Sequence, residues 1–190
     1  MKLFLISIAV LTFLTNSVRP QTPGWKEFRS DDLGFRAAFP DKPEESTGQL
    51  RLLYAPDQFG NERKAKWQFA GLYFAVSAVR DTSLTGADRK TVLRDLQQYA
   101  EAEMKCSRVE NHEVASGTIT GAEFVCYKNN YLYTYRLFVL GQKRYKLTYW
   151  VPSSAADDPD VRELVERFTS SFQLYQPIES HRGSPCRSPE

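Results

Sequence analysis

The stretch Ala122-Glu123-Phe124-Val125-Cys126-Tyr127-Lys128-Asn129-Asn130-Tyr131-Leu132-Tyr133-Thr134-Tyr135-Arg136-Leu137-Phe138-Val139-Leu140-Gly141-Gln142-Lys143-Arg144-Tyr145-Lys146-Leu147-Thr148-Tyr149-Trp150-Val151 decides the fold. It reads as three strands, 122–128, 131–140 and 143–151, joined by Asn129-Asn130 and Gly141-Gln142. Both dipeptides tolerate the positive φ that two-residue hairpin turns demand. In that register Glu123 faces Arg136, an opposite-charge cross-strand pair. One face then carries Phe124, Cys126, Tyr131, Tyr133, Tyr135, Leu137, Val139 and Trp150. The other carries Val125, Tyr127, Leu132, Phe138, Leu140, Tyr145, Leu147, Tyr149 and Val151. Bulky apolar groups on both faces require cover on both. The reading is an α+β fold: an antiparallel sheet of about six or seven strands flanked by helices, an α/β/α sandwich.

Working upstream, residues 88–104 change period. Val92, Leu93, Leu96, Tyr99, Ala100 and Met104 form one helical stripe, with Arg94, Asp95, Gln97, Gln98 and Glu101 opposite. Residues 109–115 read as a weak strand. Residues 65–80 form a long apolar run with Gly71 as its expected bulge. From Leu72 onward both parities are apolar, as in a strand covered on both faces. Residues 50–54 and 34–39 complete the early strands, the latter stopped by Pro40 and Pro43. Downstream, Asp158 is a good N-cap, Pro159 suits the first helical position and Asp160 favours the dipole. Val161, Leu164, Val165, Phe168 and Phe172 make the apolar stripe, and Glu163 and Arg167 stand at i,i+4 on the wet side. The predicted order is three strands, a helix, about four strands and a helix.

At the N-terminus one positive charge, Lys2, precedes an apolar run ending at Leu14 and the small polar residues Thr15 and Ser17. That is the build of an export leader, and the run is too short for a bilayer core of roughly 30 Å. The expected division is a leader at 1–17, a linker at 18–24, one α+β domain at 25–175 and a disordered Pro/Gly/Ser tail at 176–190. The mature chain is then secreted or periplasmic, with no stable membrane anchor. Lys2 is the only charge in the leader, so 24 basic and 23 acidic side chains remain, a formal +1. So even a balance gives no electrostatic footprint for nucleic acid. Aromatics at 13% of the chain argue for a packed domain and against disorder.

Three cysteines, Cys106, Cys126 and Cys186, allow one bridge in three pairings. Cys106 and Cys126 are the favoured pair, since both fall inside the folded region and a helix end on the Phe124 face brings them together. The alternative is two buried thiols. Cys186 lies in the tail.

Chemistry is sparse. His181 is in the tail, leaving His112, with Glu110 on the same strand face, as the one candidate base. No nucleophile elbow, zinc-ligand spacing or complete calcium loop occurs. The reading therefore names no catalytic, cofactor-binding or metal-binding residues. The candidate ligand face is aromatic: Tyr131, Tyr133, Tyr135 and Trp150, with Lys128, Arg144 and Lys146 nearby. Such a face can stack a ligand, or it can be core beneath helix 88–104.

Trp25-x-x-Phe28, Gly34-Phe35-x-x-x-Phe39-Pro40-x-x-Pro43, Arg144-Tyr145-x-Leu147 and Phe168-x-x-Ser171-Phe172-x-Leu174 resemble the scattered signature of PsbP-like domains, the superfamily of photosystem II extrinsic-subunit and DcrB-type domains. The resemblance spans most of 25–175 and is greatest to short exported bacterial members. It implies an antiparallel sheet between helices, no shared catalytic set, no cofactor, and protein partners that differ from member to member. Three functions follow: an exported non-catalytic accessory domain docking a protein partner in the envelope; a small-ligand carrier using the aromatic face; or an unrecognised hydrolase based on His112. A cleft lined by Tyr131, Tyr133 and Trp150 would favour the carrier. A hydroxyl and carboxylate converging on His112 would favour the enzyme.

Overall fold

At Asn129 and Asn130 the backbone takes φ of 50° and 62°, the left-handed pair of a tight hairpin turn. The computed structural model describes residues 24–175 apart from residue 107. The expected leader, most of the expected linker and the expected tail with Cys186 and His181 lie outside the described residues. The turn joins strands β7 (Ile119–Lys128) and β8 (Tyr131–Leu140), and Gly141 opens the next turn into β9 (Lys143–Pro152). Glu123 stands opposite Arg136 as the sequence predicts, and the two form an ion pair.

Around this meander the chain adds β1 (Lys26–Ser30), β2 (Phe35–Phe39), β3 (Glu44–Arg51), β4 (Phe59–Phe69), β5 (Leu72–Arg80), helix α1 (Arg89–Met104) and β6 (Arg108–Ser116). Helix α2 (Pro159–Ser171) and the short β10 (Gln173–Leu174) complete it. Seven strands pair antiparallel in the order β3-β4-β5-β9-β8-β7-β6, and β1-β2-β10 make a second, three-stranded sheet. The fold class matches the sequence reading.

Alternation sorts the core into two clusters. On one face Phe74, Val76, Phe138, Tyr145, Leu147 and Val151 pack against Phe35, Phe39, Phe168 and Phe172 of the small sheet and α2. Tyr145 Oη donates to the Leu33 carbonyl (2.7 Å), and burial pushes its pKa up. On the other face Phe124, Cys126, Leu137 and Val139 pack under Val92, Leu93 and Leu96 of α1. Asp88 caps α1 by accepting from Thr91 N (2.9 Å), and Asp158 caps α2 through Asp160 N (2.9 Å).

Five expectations need correction. Gly71 is no bulge: Ala70 (φ 48°) and Gly71 (φ 83°) form a second left-handed turn, which splits the long run into β4 and β5. The strand expected at 50–54 ends at Arg51 and begins at Glu44, because Leu53 N and Tyr54 N leave the ladder for Asp81 and Ser83 side chains. Five strands, not three, therefore precede α1, with β1 the one the pattern missed. Tyr99 does not join the buried stripe but is 64% exposed, since the sheet beneath that side of α1 is not in contact with it. Arg167 does not pair with Glu163 but lies over the Trp25 ring at 4.6 Å.

Candidate functional site

The pleat of β8 places Tyr131, Tyr133 and Tyr135 on the α1 face, where they divide into two neighbourhoods. Tyr135 lies beneath the helix, stacked on Phe124 with centroids 4.6 Å apart. Its hydroxyl donates to Met104 Sδ (3.2 Å), and burial pushes the phenol up to about 12. Tyr131, Tyr133 and Trp150 lie away from that contact. Trp150 stacks on Tyr73 of β5 at 3.6 Å and 2°, Tyr133 packs 5.5 Å from Trp150, and Tyr131 lies 6.0 Å from Tyr133. These rings are half-buried and occupied with one another.

Two of the three basic neighbours already have partners. Lys128 Nζ donates to the Met104 carbonyl (2.7 Å), closing the end of α1. Arg144 Nε meets Asp81 Oδ2 at 2.7 Å, and Arg144 also donates to the Arg51 carbonyl (2.7 Å). Burial lowers the Arg144 pKa and Asp81 opposes that shift, so the guanidinium stays charged. Asp81 is fully buried and also accepts from Leu53 N, Ser83 N and Ser83 Oγ. One carboxylate thus holds the 52–54 segment, the turn before α1 and β9 together. Nothing in the pattern marked Asp81 except its place before Thr82-Ser83, where an Asx-type cap is natural.

Lys146 is different. It stands between Ser77 of β5 and Leu137 of β8 in the register, on the floor of a cleft of about 410 Å³. The cleft opens between the Leu96-Tyr99-Glu103 side of α1 and β5, β9 and β8, with Leu50 of β3 at its margin. Its walls are mainly apolar: Leu50, Val79, Leu96, Ala100, Met104 and Leu137. The volume falls within the range of small-molecule sites. Of the predicted face only Tyr135 lines it; Tyr131, Tyr133 and Trp150 do not. The helix lies on the face where the sequence reading placed it, and this cleft opens beside Tyr135.

Cys106, just past the left-handed cap at Lys105, bridges to Cys126 with Cα atoms 5.4 Å apart. His112 Nε2 lies 3.9 Å from Glu110 Oε2 on a surface where the imidazole is half exposed, too far for a hydrogen bond. The pair shares a strand face as expected, and no hydroxyl is recorded converging on it among the described residues.

No protein-family model and no curated protein matches the chain. Among solved structures it is similar to the solution structure of cyanobacterial PsbP (CyanoP) from Synechocystis sp. PCC 6803, with TM-score 0.54 and 8% identity, covering 85% of this chain and 99% of that one. A crystal structure from Bacteroides thetaiotaomicron VPI-5482 aligns at TM-score 0.35 and 17% identity, over 80% of this chain and 48% of that one, too weakly to bear on the fold. At 8% identity the first likeness speaks for architecture alone. The seven-stranded antiparallel sheet, covered by α1 on one face and by α2 with the small sheet on the other, is a PsbP-like fold.

Proposed function

We propose that this chain is an exported, non-catalytic accessory domain that docks a protein partner in the cell envelope by accepting a strand of it on β3. The observation that carries this reading is the contrast between the two edges of the large sheet. β6 carries Glu110, His112 and Glu113 mid-strand, the charged residues that natural edges use against pairing. β3 is eight residues long and exposed almost throughout. Its two acids are matched across the ladder, Glu44 to Lys66 (3.0 Å) and Glu45 to Arg63 (4.0 Å). The centre, Ser46-Thr47-Gly48-Gln49, carries no charge and no proline. An added strand would satisfy its outward backbone groups, and side-chain pockets would supply selectivity. Phe59 and Phe69, 53% and 68% exposed at the two ends of β4, offer apolar anchors beside that edge. Export is supported by the leader pattern and by the Cys106–Cys126 bridge, which suits an oxidising compartment.

The test is capture from envelope extract with the mature chain and with Thr47→Lys/Gln49→Lys, which charges the edge without touching the core. The reading expects a partner retained by the parent and lost by the variant at unchanged thermal stability. Equal capture by both would reject β3 as the docking edge.

A further inference from the structure

We propose that the cleft between α1 and the β5-β9-β8 surface binds a medium-chain amphiphilic carboxylate, its hydrocarbon along the apolar wall and its head on Lys146. Lys146 is an exposed ammonium lining a mainly apolar cleft, where a ligand's carboxylate can reach it from solvent. Its neighbours across the ladder, Ser77 and Leu137, line the same cleft. Glu62 and Glu103 act on it only through space, and among the described residues no carboxylate is recorded within ion-pair distance of its nitrogen. Lys64 and Arg144 add like charge nearby, though Asp81 neutralises Arg144. A ligand carboxylate would form a charge-assisted hydrogen bond with Lys146 while its chain buries against the apolar wall.

Further polar groups converge on the same place. Ser77 is buried directly opposite Lys146 in the register and lines the cleft. The Tyr135 hydroxyl spends its proton on a thioether, a weak acceptor that an oxygen ligand would outcompete. The walls are Leu96, Ala100 and Met104 from the helix and Leu50, Val79 and Leu137 from the sheet, so a flexible alkyl chain fits them better than a flat aromatic ring. Met104 adds the adaptable surface that suits chains of varied shape. Exposed Tyr99 stands at the rim, positioned to fold over a bound chain.

The experiment titrates dodecanoate, below its micelle concentration, into the oxidised mature chain by calorimetry, with dodecanol as the uncharged probe. The proposal expects saturable one-to-one binding of dodecanoate. Lys146→Met, which keeps the stem, should weaken dodecanoate by roughly tenfold or more, the scale of one charge-assisted bond, and leave dodecanol unchanged. Glu103→Gln should tighten dodecanoate by removing a repelling carboxylate. Ala100→Phe should fill the cleft and abolish binding of both probes while the thermal transition stays in place, which keeps the test open if Lys146→Met folds poorly. Absence of saturable binding to the parent would overturn the proposal. So would dodecanoate affinity unchanged by Ala100→Phe, or abolished by Trp150→Ala alone, since Trp150 lies outside the cleft.

Discussion

With its carboxylate fully buried, hydrogen-bonded to Leu53 N and Ser83 N and ion-paired with Arg144, Asp81 is the residue through which three separate segments become one. Removing the cation leaves that charge in a dry site, and breaking a buried pair costs about 3–5 kcal/mol. Arg144→Met should therefore lower the unfolding free energy by about that much in denaturant titration, whereas the same change at exposed Arg29, whose pair with Asp31 is solvated, should leave the transition in place. A loss below about 1 kcal/mol for Arg144→Met would contradict the buried pairing. Tyr135 gives a second readout at this scale. Its folded pKa of about 12 stands above the ordinary phenol value of about 10, so the neutral form is favoured by folding. The associated stability is complete below pH of about 10 and is lost as pH rises toward about 12. Near-ultraviolet titration should show a late tyrosine phase, to which Tyr145 and Tyr149, also pushed up by burial, contribute; Tyr135→Phe should reduce its amplitude by one phenol at a pH of about 12 and leave the rest of the curve in place.

At the scale of elements, α2 depends on one ring. Phe168 is fully buried and packs 4.9 Å from Phe74 and 5.4 Å from Phe39, while Val161, Leu164 and Val165 are only half-buried. Phe168→Ala should cost about 3–5 kcal/mol by cavity formation, and Val161→Ala much less. Comparable losses at both sites would mean that the helix is docked evenly along its length. The Cys106–Cys126 bridge fixes the end of α1 to β7 across 20 residues of sequence, and reducing it should cost roughly 3 kcal/mol in the same denaturant assay. What was legible from sequence divides along these elements too. The meander from β7 to β9 could be read because alternation, turn residues and the Glu123–Arg136 pair are all local. β3 could not, because Glu-Glu-Ser-Thr-Gly-Gln-Leu-Arg has no buried side to impose a period; its ladder with β4 holds it in place. The Ala70-Gly71 turn was hidden inside an apolar run whose continuity looked like one strand. Tyr99 fitted the helical stripe by spacing, yet α1 leans on β7 and β8 and leaves its other flank standing clear of the sheet. That gap is the cleft. No periodicity encodes it, which is why Lys146 looked like one more edge lysine.

At the scale of the whole molecule, the large sheet is wider than its covers. The small sheet and α2 occupy one face near β5, β9 and β8, and α1 occupies the other over β7 and β8. β3 and the outer half of β4 project beyond both, held by cross-strand pairing and charge matching in place of burial. A sheet margin of that kind has low local stability and exchanges its outward amides readily. It is also the margin where an incoming strand gains most and displaces least. Hydrogen exchange on the chain, alone and with a protein captured from envelope extract, tests this most directly. The account predicts fast exchange across 44–51 in the free chain, strong slowing there in the complex, and little change in β6. Slowing confined to β6 or to α2, with 44–51 still exchanging fast in the complex, would contradict it.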